Sequence, residues 1–251
     1  MTEEMKWLGY FVAWDDKKFD YGFGGDGDGI MYVIKGKERL GHNDFKVYFR
    51  VQEEINGKWV NRQFLKEGGL VSDAKPELNP SKPVAITFTV TGGTKVEFLQ
   101  TKSGGEMIIK PKILEKTTSN PVRVAVEFKM PNLFRHNDAI DEMEEKELKK
   151  LMRSDLFSAV RAADGKKVKA KFYEIETDLL SDEFLKEGAL EIEFKSKKIG
   201  GNSFVVGQGS EKAGVLELKP STPFFKGIRT LWIPDPAKLG EKDCYVTFGV
   251  E

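Results

Sequence analysis

The stretch VRVAVEFK, residues 122–129, alternates without a break: Val122, Val124, Val126 and Phe128 are apolar, and Arg123, Ala125, Glu127 and Lys129 fall between them. Side chains of a strand point to opposite faces in turn, so this run reads as a strand with one core face and one outer face. The same period recurs along the chain. Phe45, Val47, Phe49 and Val51 alternate with Lys46, Tyr48, Arg50 and Gln52; Val84, Ile86, Phe88 and Val90 form a third run; Leu190, Ile192 and Phe194 a fourth. Turn residues separate such runs: NGK at 56–58, NPSKP at 79–83, TGGT at 91–94 and ADGKK at 163–167. Short alternating runs with turn chemistry between them predict a mainly β fold, an antiparallel sandwich or barrel.

One segment departs from that period. Between Asp138 and Arg153 the apolar residues are Ile140, Met143, Leu148, Leu151 and Met152, a helical spacing. Asp138 can cap its first amides, acidic residues follow, and Lys149, Lys150 and Arg153 close it, matching the helix dipole. Ser154 can cap a second short helix up to Ala163, so the reading places a helical insertion at about 138–163.

The landmarks occur twice in one order. FLKEG stands at 64–68 and 184–188, and the tripeptide His-Asn-Asp at 42–44 and 136–138. A Gly pair followed by Lys-Pro stands at 92–93 and 110–111, and again at 200–201 and 219–220. Internal self-similarity points to duplication. The expectation is two tandem sandwich-like domains, 1–131 and 132–251, the second carrying the helical insertion; the alternative, without a duplication, is one large two-sheet domain.

Composition narrows the functional classes. The 251 residues hold 40 Lys plus Arg against 40 Asp plus Glu, so no basic surplus argues for nucleic acid or an anionic membrane. The single cysteine, Cys244, leaves no intrachain disulfide to mark an oxidising compartment. The start MTEEMKWLGYF lacks the basic n-region and apolar h-region of a signal peptide, and no run reaches transmembrane length. A soluble, cytoplasmic protein is expected, or a secreted one if a signal peptide has been removed.

Candidate chemistry is sparse. In GFGGDGDGI, residues 22–30, Asp26 and Asp28, with Asp20 nearby, offer calcium its hard oxygen ligands, but the pattern fails the EF-hand spacing; the competing reading is a Gly-Asp turn and no cofactor. His42 with Asp44, and His136 with Asp138, pair an imidazole with a carboxylate, as a general base or metal site requires. No nucleophile stands beside either, and Asn-Asp is also ordinary turn chemistry. Cys244 reads as a buried structural thiol. Among the aromatics, Trp59, Trp14 and Trp232 are candidate ligand-stacking residues, Trp59 foremost because Lys58, Asn61 and Arg62 surround it. The chain shows no ordered catalytic constellation. The functional expectation is therefore a non-catalytic binding or assembly protein acting through protein–protein contacts or self-assembly, with a carbohydrate-binding or carbohydrate-active β protein as the alternative.

Overall fold

A computed structural model describes residues 7–24, 27–36, 38–65, 77–131, 143–171, 182–185, 187–220 and 227–251, a few of them by backbone alone. The chain is mainly β. The first half contributes β1 (Tyr10–Asp15), β2 (Phe19–Gly24), β3 (Asp28–Lys35), β4 (Glu38–Ile55), β5 (Lys58–Arg62), β6 (Glu77–Leu78), β7 (Val84–Thr89), β8 (Lys95–Ser103), β9 (Glu106–Glu115) and β10 (Val122–Pro131). After helix α1 (Glu145–Leu151) come β11 (Leu156–Arg161), β12 (Lys167–Lys171), the short helix α2 (Asp182–Leu185) and β13 (Ala189–Lys195). A 3-10 turn, Lys197–Ile199, precedes β14 (Ser203–Gln208), β15 (Gly214–Pro220), β16 (Gly227–Pro234) and β17 (Val246–Val250).

The run VRVAVEFK lies in β10, which has a partner strand on each side. β10 pairs antiparallel with β4 on one side and with β16 on the other. Val124, Val126 and Phe128 are buried, as are Val47, Phe49 and Val51 of β4, so the alternation sets which face packs. All described strands join one curled sheet. Its ladder runs from β10 through β4 to β5. Beyond β5, Leu65 N–H donates to Thr89 O, Thr91 N–H donates to Gln63 O, and Phe64 bridges Val90, which hands the ladder to β7. It continues through β8, β9, β17, β14 and β13, crosses to β15 at Ala189–Leu216, and returns by β16 to β10. β1, β2 and β3 extend from β4. One large apolar cluster draws residues from both halves, among them Trp14, Phe49, Phe98, Phe128, Phe157, Trp232 and Phe248.

The ladder crosses the expected boundary at 131/132 in two places, β10 with β16 and β9 with β17. The repeated landmarks share order but not pairing. KVEFLQ and EMIIK lie in the β8–β9 hairpin, whereas β14, holding SFVVGQ, pairs β13 and β17, and β15, holding GVLELK, pairs β16 and touches β13. Phe64 is extended, while Phe184 and Leu185 are helical. Residues 66–68 of the first FLKEG, and Lys186 of the second, lie outside the described residues.

The helical insertion is shorter than expected. α1 covers seven residues, and residues 138–142 lie outside the described ones. The second helix is a strand instead: β11 pairs with β12 and β13. Phe157 and Ala159 point into the core, and the hydroxyl of Ser158 between them donates to Glu193 Oε2 at 2.8 Å. Two ladders and a core face on period two outweigh the capping preference of Ser154. Of the expected apolar stripe, Met152 is buried but Leu151 is exposed; Ile140 and the side chain of Leu148 are not described.

Candidate functional site

The hairpin β4–β5 turns at Asn56 and Gly57, with φ of 51° and 74°. Both values are positive, as a two-residue hairpin of the twist-matched kind needs, and Asn-Gly is the sequence that tolerates them. β5 pairs with β4 from Ile55–Lys58 to Val51–Arg62. Residues 58–61 are all exposed, so side chains on both faces of this strand meet solvent. Trp59 is 38% exposed and Val60 41%. No other described tryptophan is exposed.

Each face of the hairpin is organised by neighbours in the ladder. Gln52 stands opposite Asn61 in β5 and opposite Arg123 in β10. Arg123 Nε donates to Gln52 Oε1 at 2.8 Å, and Gln52 Nε2 donates to Asn61 Oδ1 at 2.8 Å. The Arg123 guanidinium lies 4.2 Å over the Trp59 ring, a cation–π contact. Burial lowers the pKa of Arg123 while Glu217 and Glu54 act the other way. On the opposite face, Glu53 accepts from Asn120 at 2.7 Å, Thr118 at 2.8 Å and Arg62 Nε at 2.6 Å. These bonds hold its carboxyl below the usual range.

The outer face continues across β4, β10 and β16. The Arg50 guanidinium lies 4.4 Å from the Tyr48 ring centroid, and Arg50 Nε donates to Glu127 Oε2 at 2.9 Å. Arg229 Nη1 approaches Glu127 Oε1 at 3.7 Å. Ala125, Leu231 and Ile233 form a small separate apolar cluster on this side, with Val215 packed against it.

The remaining candidates fall elsewhere. Trp14 and Trp232 are buried and do not offer rings to a ligand at the surface: Trp14 stacks on Tyr21 at 5.9 Å, and Trp232 Nε1 donates to Gln208 Oε1 at 3.0 Å. Their size and the 39% hydrophobic composition make them core filler. Asp20 pairs with Tyr32 in the β2–β3 ladder, four residues along β3 from Asp28. At about 3.4 Å per residue their backbones lie roughly 13 Å apart, too far for one calcium ion to gather both carboxylates without a long detour of the chain. Asp26 lies outside the described residues. His42 and Asp44 are in β4, described by backbone only, and His136 and Asp138 lie outside. Among the described residues no group of three or more His, Cys, Asp or Glu has a metal-holding arrangement. Cys244 is buried, its thiol 3.6 Å from Ala213 O, and burial with nearby Asp243 pushes its pKa up to about 11. At neutral pH it stays a thiol, and it is a poor nucleophile.

A concavity of about 380 Å³ crosses β9, β17, β14 and β13 and is lined by Glu106, Glu191, Glu211, Glu251, Gly207 and Thr247 among others. Burial, and then repulsion from Glu251 and Glu191, raises the Glu106 pKa. Its polar floor presents no aromatic ring. No described helix is long and apolar enough to cross a membrane.

The sequence marked Trp59, Asn61 and Arg62 through their shared local polarity. It gave no sign of Arg123, which reaches Trp59 only because β10 and β5 flank β4. Set against protein-family models, curated proteins and solved structures, the chain matches none.

Proposed function

We propose that this is a non-catalytic binding or assembly protein acting through protein–protein contacts, and that the β4–β5 hairpin is its contact surface. The observation that carries the reading is a strand whose two faces are both exposed and bear Trp59 on one side and Val60 on the other. Among the described residues Lys58–Arg62 pairs with β4 alone, and an uncovered edge strand is a template for another chain. The surroundings have the composition of an interface centre, where Trp, Tyr and Arg are enriched: Trp59 and Arg123 at the hairpin, Tyr48, Arg50 and Arg229 beyond it. The carbohydrate reading has less support. It relied on three tryptophans, two of which are core, and Arg123 covers one ring face of the third.

The experiment is retention of cellular proteins on the immobilised chain, wild type against Trp59→Ala/Val60→Asp. The expected result is a protein held by the wild type and lost by the variant at an unchanged melting temperature. Equal retention by both, or binding only to a glycan array, overturns the reading.

A further inference from the structure

We infer that Asn56-Gly57, at the apex of the β4–β5 hairpin, is a site of spontaneous covalent modification: the Asn56 side chain deamidates through a cyclic succinimide, leaving aspartate or isoaspartate at position 56. This chemistry needs a side-chain amide carbon, a following peptide nitrogen free to reach it, and no side chain in the way. Asn56-Gly57 is the only Asn-Gly in the sequence. Both residues are exposed. Gly57 N–H has no hydrogen-bond acceptor among the described residues, and open space lies where a Gly57 Cβ would stand. The step needs only hydroxide and water. The deprotonated Gly57 nitrogen attacks Asn56 Cγ, the new N–C bond closes the ring, the Cγ–Nδ2 bond breaks and the amide leaves as ammonia. Water then opens the ring at one carbonyl or the other, giving aspartate or isoaspartate. The turn must open for the nitrogen to reach Cγ, and that opening is local, because residues 58–61 are all exposed.

Two described Asp-Gly pairs can enter the same ring, and the fold restrains both. Gly165 N–H donates to Arg161 O, and Asp164 accepts from Arg161 Nε at 2.9 Å. Gly29 is paired inside the sheet with Phe23 and Val47, and the Tyr21 side chain lies against it. Asn56-Gly57 has neither restraint. Its two products differ in what they do to the hairpin. Asp-Gly suits a two-residue turn of positive φ as Asn-Gly does. Isoaspartate routes the main chain through the side-chain carbon and so inserts an extra backbone atom at the apex. Loop length sets hairpin register, so this form shifts Trp59 away from Glu54 and from the Arg123 guanidinium. The modification is a property of the apex and stands whether or not the hairpin is a contact surface.

The full folded chain is incubated in mildly alkaline and in mildly acidic buffer, then digested in acid to stop the reaction. Mass spectrometry with electron-transfer fragmentation reads each asparagine and separates aspartate from isoaspartate. The expected result is that Asn56 gains the mass difference between a hydroxyl and an amino group before any other asparagine. The rate should be severalfold higher in the alkaline buffer, because the attacking nitrogen must first lose its proton. In amide spectra, residues 58–62 should acquire a second set of signals that grows with the isoaspartate fraction. Freshly purified Asn56→Asp should lack that set, since it keeps the turn. An Asn56 that stays intact while other asparagines react, modification seen only after unfolding in urea, or isoaspartate that leaves the signals of 58–62 unmoved each overturn the inference. The proposed function fails separately, through equal retention by the Trp59→Ala/Val60→Asp variant.

Discussion

Tyr21 on β2 donates its hydroxyl to Gln100 Oε1 on β8 at 2.9 Å, with both residues fully buried in the core. Burial, and then the charge of Asp28, pushes the Tyr21 pKa well above its ordinary value, so the hydroxyl remains a donor at any working pH. The other end of the amide, Gln100 Nε2, has no hydrogen-bond partner among the described residues, and neither has Trp14 Nε1, whose ring stacks on Tyr21. Removing one member of a buried pair strands the other at about 1–3 kcal/mol, whereas removing both with shape retained is close to neutral. Tyr21→Phe and Gln100→Met should therefore each destabilise, and the double variant should cost less than their sum. Urea unfolding of the four proteins measures this; strict additivity would show that the bond contributes nothing.

Glu193 gathers three donors: Ser203 at 2.7 Å, Ser158 at 2.8 Å and Lys167 at 2.9 Å. Burial pushes its pKa up, but the bonds from Lys167, Ser203 and Ser158 outweigh it and hold the carboxyl at about 2, against 4.5 for an ordinary glutamate. A depressed folded-state pKa stabilises above the unfolded value and loses that contribution as pH falls through the folded one. The Glu193-dependent stability should accordingly be complete above about pH 5 and decline toward pH 2. Glu193→Ala strands the buried hydroxyls of Ser158 and Ser203 and should cost about 1–3 kcal/mol at pH 7. The gap between wild type and variant, followed by melting temperature from pH 7 down to pH 3, should narrow on acidification; a constant gap would contradict the assignment.

Leu151 and Met152 are neighbours with opposite fates, one 38% exposed and the other fully buried. Met152→Ala should cost roughly 2–5 kcal/mol as a core truncation. Leu151→Asp should stay within about 0.5 kcal/mol, the range of ordinary surface changes. Chemical denaturation ranks the two variants; a larger loss for Leu151→Asp would show that Leu151, not Met152, faces the core.

Two glycines with left-handed backbones separate conformational cost from crowding. Gly165 has φ of +67° and open space where a Cβ would stand, whereas Gly188, with φ of +94°, would set a Cβ 2.8 Å from Leu216 O and against the side chain of Val215. Gly165→Ala should cost about 1–2 kcal/mol, the cost of an L-residue in the left-handed region. Gly188→Ala adds a clash with backbone that cannot swing aside and should cost clearly more, by about 1–3 kcal/mol. Melting temperatures that fall equally would show that β15 does not pass so close to β13.

The strands were readable because they are two-sided. Val124, Val126 and Phe128 sit in the core as their spacing requires, and Asn56-Gly57 makes the turn its chemistry favours. Residues 156–161 form a strand rather than the expected helix for a physical reason. Leu156, Phe157, Ala159 and Val160 suit helix or strand locally, and the decision comes from β12 and β13, the second of which lies about thirty residues away in sequence. The tryptophans expose a similar limit. Trp14, Trp59 and Trp232 all have polar near neighbours in sequence, and only the packing of distant strands sorts the two that are buried from the one that is not. The partnership of Trp59 with Arg123 is of the same kind, set by β10 rather than by anything adjacent.

The place of β17 between β9 and β14 has a consequence for synthesis on the ribosome. Residues 106–115 are translated long before residues 246–250, so the seam of the curled sheet lacks its middle strand until almost every residue described here has been made. Until then two ladders are unfilled, and loop closure over so many intervening residues makes the final insertion slow. A ribosome stalled before residue 246 would hold a nascent chain with paired hairpins and an unsealed wall, the form most prone to stick to its neighbours on a polysome.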